Sequence, residues 1–116
     1  MLFTSIRYTL DGSVARIEVA GQVRGAAAVQ MQLTILEVIL DFPRELVIDL
    51  HAATGLSNTG VDGLVMGYTL SIEYGTLYRV INAQRRVRHA LQAVGVHDVL
   101  GDNDDIGALV LALGSR

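Results

Sequence analysis

Three small polar residues, Ser57, Asn58 and Thr59, follow a strongly apolar segment and precede a run of residues with helical spacing. The segment 46–50 ends in Asp-Leu and predicts a strand covered on both faces of a parallel sheet. The residues after Gly60 predict a helix at about 61–73. A helix start exposes free N–H groups and the positive end of the helix dipole, which attract phosphates and acidic groups. Residues 57–60 are therefore the candidate site, placed to meet a phosphate or an acidic partner.

The same polar residues also have an ordinary structural explanation. Thr59 and Asp62 have the spacing of a helix N-cap followed three positions later by an acidic residue. Ser57 and Asn58 are common turn residues. The pattern predicts Thr59 as the N-cap of this helix.

The other segments predict the elements that position this site. Asp11-Gly12 is a hairpin turn signal between strands at residues 2–9 and 14–19. Helices are predicted at 25–40, 61–73, 84–94 and 102–113, and further strands at 46–50, 77–81 and, as a short edge, 99–100. This alternation predicts an α/β domain whose mostly parallel sheet has four to five strands, an N-terminal antiparallel hairpin and about four helices.

The first two predicted helices carry little charge. Helix 25–40 has Val29, Leu33, Leu36 and Ile39 or Leu40 at the spacing of one face, which we predict to be its buried face. Two interpretations are open for the missing charges. In the first, both helices are largely covered by neighbouring elements. In the second, the second helix presents a partner-binding face that includes Met66, Thr69 and Tyr74.

Composition narrows the functional classes. A chain of 116 residues with 51% hydrophobic content can bury a core without metal or disulfides. It has no Cys, which removes thiol chemistry and is consistent with a cytoplasmic location. The net charge of −3 argues against nonspecific nucleic-acid binding. No apolar run approaches the length of a membrane span, so we expect no membrane insertion.

Motifs for catalysis or cofactors are missing. The three His residues lack metal-ligand spacing, and the glycines form neither a dinucleotide fingerprint nor a phosphate loop. Arg85, Arg86 and Arg88 are interpreted as the solvated side of the third helix, because Val87 and Leu91 define its inward face. We therefore expect no metal, no cofactor and no enzymatic activity.

The segments around residues 57–60 resemble the STAS domain of bacterial anti-sigma-factor antagonists. Their order is a strand, Asp-Leu, an apolar bridge, the polar cluster, Gly and an apolar helix. That family has Asp-Ser-Ser-Gly or Asp-Ser-Thr-Gly where this chain has residues 57–60. The segment 21–24, Gly-Gln-Val-Arg, is similar to the family's Gly-Glu-Leu-Asp. Residues 79–84 lead to Val87, Leu91 and Gly95-Val96, which look like its third helix. The resemblance extends over nearly the whole chain and implies a single STAS-like domain, 1–116.

By this resemblance the chain is a non-enzymatic interaction module whose partner is an anti-sigma factor of kinase-type fold. The expected partner-binding residues are Arg24, Ser57, Asn58, Thr59, Gly60 and Val61. Replacing Gly60 by Trp is expected to weaken binding and to leave the fold intact. Two alternatives stay open: a STAS subunit or scaffold of a transporter or stress-sensing assembly, and a small nucleotide-binding protein. The oligomeric state, including a homo-oligomer, is also open.

The chain departs from the family pattern at the position where the family is phosphorylated. The resemblance places the family's phosphorylated serine at Asn58, whose amide cannot accept a phosphate, and leaves Thr59 and Ser57 as fallback acceptors. Two carboxylates of the family pattern are replaced, one by Arg24 and one by Ser57. If these segments meet, the local potential becomes positive and favours an anion or an acidic partner.

Overall fold

Four strands form one mixed sheet in chain order. The computed structural model describes residues 4–93, with strands β1 (Ser5–Asp11), β2 (Val14–Val23), β3 (Glu45–Leu56) and β4 (Leu77–Ile81). β1 pairs antiparallel with β2, whereas β2, β3 and β4 pair in parallel. The turn between β1 and β2 has Gly12 at φ 63°, a conformation that Gly adopts readily. The predicted hairpin and the mixed, mainly parallel sheet are therefore confirmed.

Three helices are described: α1 (Ala26–Ile39), α2 (Asn58–Tyr74) and α3 (Arg85–Ala93). Because parallel strands follow one another in chain order, right-handed crossovers place α1 and α2 on the same face of the sheet, where they pack together. Gly75, in the left-handed conformation at φ 74°, caps the C-terminus of α2. The strand predicted at 99–100 and the helix predicted at 102–113 lie outside the described residues.

The core lies between the sheet and the helices. Ile17, Ile48 and Val80 are register neighbours on β2, β3 and β4, and each is at most 1% exposed. Met31 and Ile35 of α1 cover them and are also fully buried. Burying a side chain of this size stabilises the fold by roughly 1.5–3 kcal/mol. This packing fixes the end of β3, and with it the start of α2.

The buried face of α1 differs from the predicted one. The structure buries Ala28, Met31, Ile35, Val38 and Ile39. The predicted residues Val29, Leu33 and Leu40 are instead 48%, 55% and 46% exposed, and Leu36 is half-buried. The helix is apolar on more than one side, so periodicity could not identify the side that faces the sheet.

A polar network on the other face of the sheet holds β2, β3 and the residue that follows β4 together. Asp49 is only 8% exposed and accepts hydrogen bonds from Arg16 Nη2 at 2.5 Å, His51 N at 2.9 Å and Asn82 Nδ2 at 3.2 Å. These bonds compensate the cost of burying a carboxylate. Asp49, the one charged residue of the predicted strand 46–50, therefore has a structural role.

Candidate functional site

The site begins where β3 ends, at Leu56, and α2 begins two residues later, at Asn58. Ser57 is the N-cap of α2, and its hydroxyl accepts a hydrogen bond from Gly60 N at 3.2 Å. Its own N–H donates to Val23 O at 2.9 Å, which ties the helix start to the end of β2. The predicted cap, Thr59, was wrong because α2 begins at Asn58, three residues earlier than predicted.

Asn58 and Thr59 lie exposed on the first turn of α2. The carbonyl of Thr59 accepts a hydrogen bond from Gln32 Nε2 at 2.9 Å, which joins this turn to α1. The hydroxyl of half-buried Ser57 caps the helix, and the Thr59 hydroxyl does not. Asn58 and Thr59 are thus the side chains of the polar cluster that a partner can reach most directly.

Gly60 and Val61, two of the predicted partner-binding residues, are buried in this structure. Val61 is 0% exposed and belongs to the core. A Cβ on Gly60 would lie 2.6 Å from Leu56 Cδ1 and 3.3 Å from Val23 O. We therefore expect Gly60→Trp to disturb the packing beneath the helix start as well as to weaken binding.

Arg24 directly follows β2 and lies beside this helix start. Its side chain is exposed and lines a cleft of about 390 Å³ together with Thr54, Ser57 and Arg86. The structure thus brings together the two segments in which the family's carboxylates are replaced. Their meeting follows from the parallel pairing of β2 and β3, in which Val23 lies opposite Leu56.

Arg86 is a cleft residue that the sequence analysis assigned to the solvated side of the third helix. It lies on the first turn of α3, which follows β4, and it lines the cleft, whereas the neighbouring Arg85 does not. The signal that could have found it is topological. The carboxyl ends of parallel strands share one edge of the sheet, so the first turns of the following helices come together there.

The cleft has a positive electrostatic character. Its lining residues include two arginines and no Asp or Glu. The start of α2 adds the positive end of a helix dipole. An arrangement of this kind can attract a carboxylate or phosphate and can steer an acidic surface toward the helix start.

Small residues allow α2 to lie close to its neighbours. A Cβ on Gly67 would lie 2.7 Å from the Tyr78 hydroxyl oxygen and 2.9 Å from Ile35 Cγ2. The Tyr78 hydroxyl donates to Leu64 O at 2.7 Å. Burial raises the pKa of Tyr78, so the hydroxyl remains protonated and keeps this bond. Of the residues considered for a partner-binding face of α2, Thr69 and Tyr74 are exposed and Met66 is half-buried.

Comparisons with known proteins agree with this fold. A search of curated proteins found no significant match. A crystal structure of an anti-sigma factor antagonist from Mycobacterium paratuberculosis is similar over 97% of this chain and 95% of that chain, with a TM-score of 0.76 and 20% identity. The anti-sigma factor antagonist SpoIIAA in its unphosphorylated form is similar over 95% of this chain and 97% of that chain, with a TM-score of 0.74 and 14% identity.

A part of a much longer protein has the same architecture. SLC26A9 is similar over 89% of this chain but only 20% of its own length, with a TM-score of 0.59 and 12% identity. Within the described residues, no helix is long and apolar enough to cross a membrane. The sequence profile of the STAS domain matches residues 5–108. The chain therefore belongs to the STAS domain family.

Proposed function

We propose that this chain is an anti-sigma-factor antagonist, a non-enzymatic module that binds an anti-sigma factor of kinase-type fold in the bacterial cytoplasm. We further propose that one STAS domain spans residues 1–116. The observation that carries the functional proposal is the helix start of α2, where Asn58 and Thr59 are exposed beside a cleft with Arg24 and Arg86. The likeness of fold to two anti-sigma-factor antagonists supports it.

The partner surface in this proposal is smaller than the predicted set of residues. Arg24, Asn58 and Thr59 provide exposed side chains, and Ser57 is half-buried in the cleft wall. Gly60 and Val61 act indirectly, by letting the first turn of α2 pack on β2 and β3.

The two alternatives use the same fold and have less support from the residues. A role as a subunit or scaffold of a transporter or stress-sensing assembly has the likeness to part of SLC26A9 behind it, and that likeness concerns the fold alone. A small nucleotide-binding protein is favoured only by the positive cleft. Thermal melting with ATP and GTP separates this alternative, because a nucleotide that binds the folded state raises the melting temperature.

The location of the partner surface is tested by replacing Asn58 with Trp. A large side chain on the exposed first turn of α2 should obstruct docking and weaken binding by about tenfold or more, or about 1.4 kcal/mol. The measurement is titration calorimetry with a purified kinase-type anti-sigma factor from the same genome. Thr9→Trp is the control, because Thr9 is exposed on the edge strand β1, away from this helix start. Equal affinity of the folded Asn58→Trp variant and the natural chain would contradict the location.

Charge reversal at Arg24 tests the acidic nature of the partner surface. Arg24→Asp should slow association at low salt by about tenfold and flatten its salt dependence, because steering by the cleft is lost. Stopped-flow association at several ionic strengths measures both effects. Arg44→Asp is the matched control, since Arg44 is exposed at the start of β3, the opposite end of the strand. If both variants associate alike, Arg24 is an ordinary surface arginine.

A further inference from the structure

The outer face of α1 carries an apolar stripe that the rest of the described chain, residues 4–93, leaves about half exposed. The stripe consists of Val29, Leu33, Leu36 and Leu40, the residues that the spacing had assigned to the core with Ile39 as the alternative to Leu40. Val29, Leu33 and Leu40 are about half exposed, and Leu36 is half-buried. Successive members are separated by four, three and four positions, the spacing of a helix that packs along another helix.

The surroundings of the stripe contain little charge. Residues 26–36 include no charged side chain, and Glu37 is the one charged residue of α1. A helix that faces only water normally carries charges on that side. The apolar stripe together with the missing charges is typical of a surface that another protein covers.

We propose that the stripe on α1 packs against the stripe of a second copy of this chain, with the two helices antiparallel about a two-fold axis. The spacing of four, three and four reads the same in both directions. A centre between Leu33 and Leu36 therefore places Leu33 opposite Leu36 of the partner subunit, and Val29 opposite Leu40 of the partner subunit. Every member of the stripe then meets an apolar residue.

The charges favour a second copy as the occupant. A two-fold contact brings a surface against itself, so a charged surface would repel its copy, whereas this uncharged stripe does not. In the antiparallel arrangement Glu37 lies on the same flank as Gln30 of the partner subunit, whose amide can donate to the carboxylate. The opposed helix dipoles also interact favourably.

The expected dimer is weak. α1 has 14 residues and so is about 21 Å long, and a helix pair of that length buries less than the roughly 800 Å² per partner of a standard interface. We therefore expect a dissociation constant on the order of 10–100 µM. The proposal goes beyond the proposed function, and its test needs no anti-sigma factor.

Sedimentation equilibrium of the full chain, at concentrations below and above this range, measures the association. The natural chain should dimerise, and Leu33→Glu should stay monomeric because each copy would place a carboxylate against apolar side chains. Ile72→Glu is the matched control, since Ile72 is an aliphatic residue of α2 that is 56% exposed and lies outside the stripe. It should dimerise like the natural chain.

A pair of opposite charges tests the antiparallel register. Val29→Glu and Leu40→Arg should each weaken the dimer, and a chain with both changes should associate more strongly than either single variant. In a parallel pair, the double variant would instead place like charges together and associate least.

Two results would overturn the proposal. One is a natural chain that remains monomeric at every concentration. The other is a Leu33→Glu variant whose monomer unfolds at clearly lower urea concentration than the natural chain and the Ile72→Glu control, because the stripe would then be covered within its own chain.

Discussion

The Asn58→Ser variant is expected to take up one phosphate when incubated with ATP and the kinase-type anti-sigma factor, whereas the natural chain takes up none at position 58. The carboxamide of Asn58 has no hydroxyl to phosphorylate. Its exposed position on the first turn of α2 nevertheless leaves the backbone accessible to a kinase. If this chain binds its partner, it should therefore do so constitutively or under another form of regulation.

The neighbouring hydroxyls differ in their suitability as substitutes. Ser57 is half-buried, and its hydroxyl accepts the capping bond from Gly60 N, so a kinase would have to break that bond to reach it. Thr59 is exposed and does not cap the helix. A phosphate on Thr59 would gain from the dipole of α2 and lose from Asp62, three residues later. Thr59 is therefore the better fallback acceptor.

Intact-mass and peptide mass spectrometry measure the phosphorylation directly. Asn58→Ala is the control, because it changes the same position without adding a hydroxyl. Partner binding is measured before and after the kinase reaction, and the phosphorylated Asn58→Ser variant should lose it. Stoichiometric phosphate on Thr59 or Ser57 of the natural chain, with loss of partner binding, would show that the usual switch operates after all.

Gly67→Ala is expected to lower the free energy of unfolding by about 2 kcal/mol or more, although Ala normally favours a helix over Gly by about 1 kcal/mol. The new Cβ would lie within 2.9 Å of both Tyr78 and Ile35. Neither neighbour can move easily, because both are fully buried and Tyr78 is bonded to Leu64 O. Urea unfolding followed by circular dichroism measures the loss.

Gly63→Ala is the matched control on the same helix. Its Cβ would approach Gln32 Cγ at 2.5 Å, which is nominally closer than the contact at Gly67. Gln32 is flexible and only partly buried, so it can rotate away and lose one hydrogen bond to Thr59 O. That loss of about 1 kcal/mol is offset by the helix preference of Ala, which leaves a net change near zero.

The clash at Gly67 can also be tested by removing one of the atoms that takes part in it. Tyr78→Phe removes the hydroxyl that would lie closest to the new Cβ, so its cost should be smaller in the Gly67→Ala background than in the natural chain. Strict additivity of the two changes, or equal costs for Gly67→Ala and Gly63→Ala, would contradict the assigned clash.

Local signals were sufficient for several elements of the fold. Asp11-Gly12 marks a turn by backbone conformation alone, and Gly75 caps α2 for the same reason. The strand predicted at 77–81 has the observed bounds of β4, Leu77–Ile81. The family followed from the order of such segments around residues 57–60, which the match over 5–108 supports.

The start of α2 depended on pairing between distant segments. β3 continues past Leu50 to Leu56 because its second half pairs with residues 20–23 of β2. This pairing places Ser57, whose N–H donates to Val23 O, at the cap position in preference to Thr59. A capping pattern within one segment contains no information about where the preceding strand stops.

The sequence by itself determined the type and order of the seven described elements, the family and the missing hydroxyl at Asn58, because these depend on residue types and near neighbours. The tertiary structure decided which side of α1 faces the sheet and which arginine joins Arg24 in the cleft. α1 has apolar residues on two sides, and only its packing against the sheet and α2 selects the buried one. Arg86 reaches the cleft because parallel strands bring their ends to one edge, a relation that exists only once the sheet has formed.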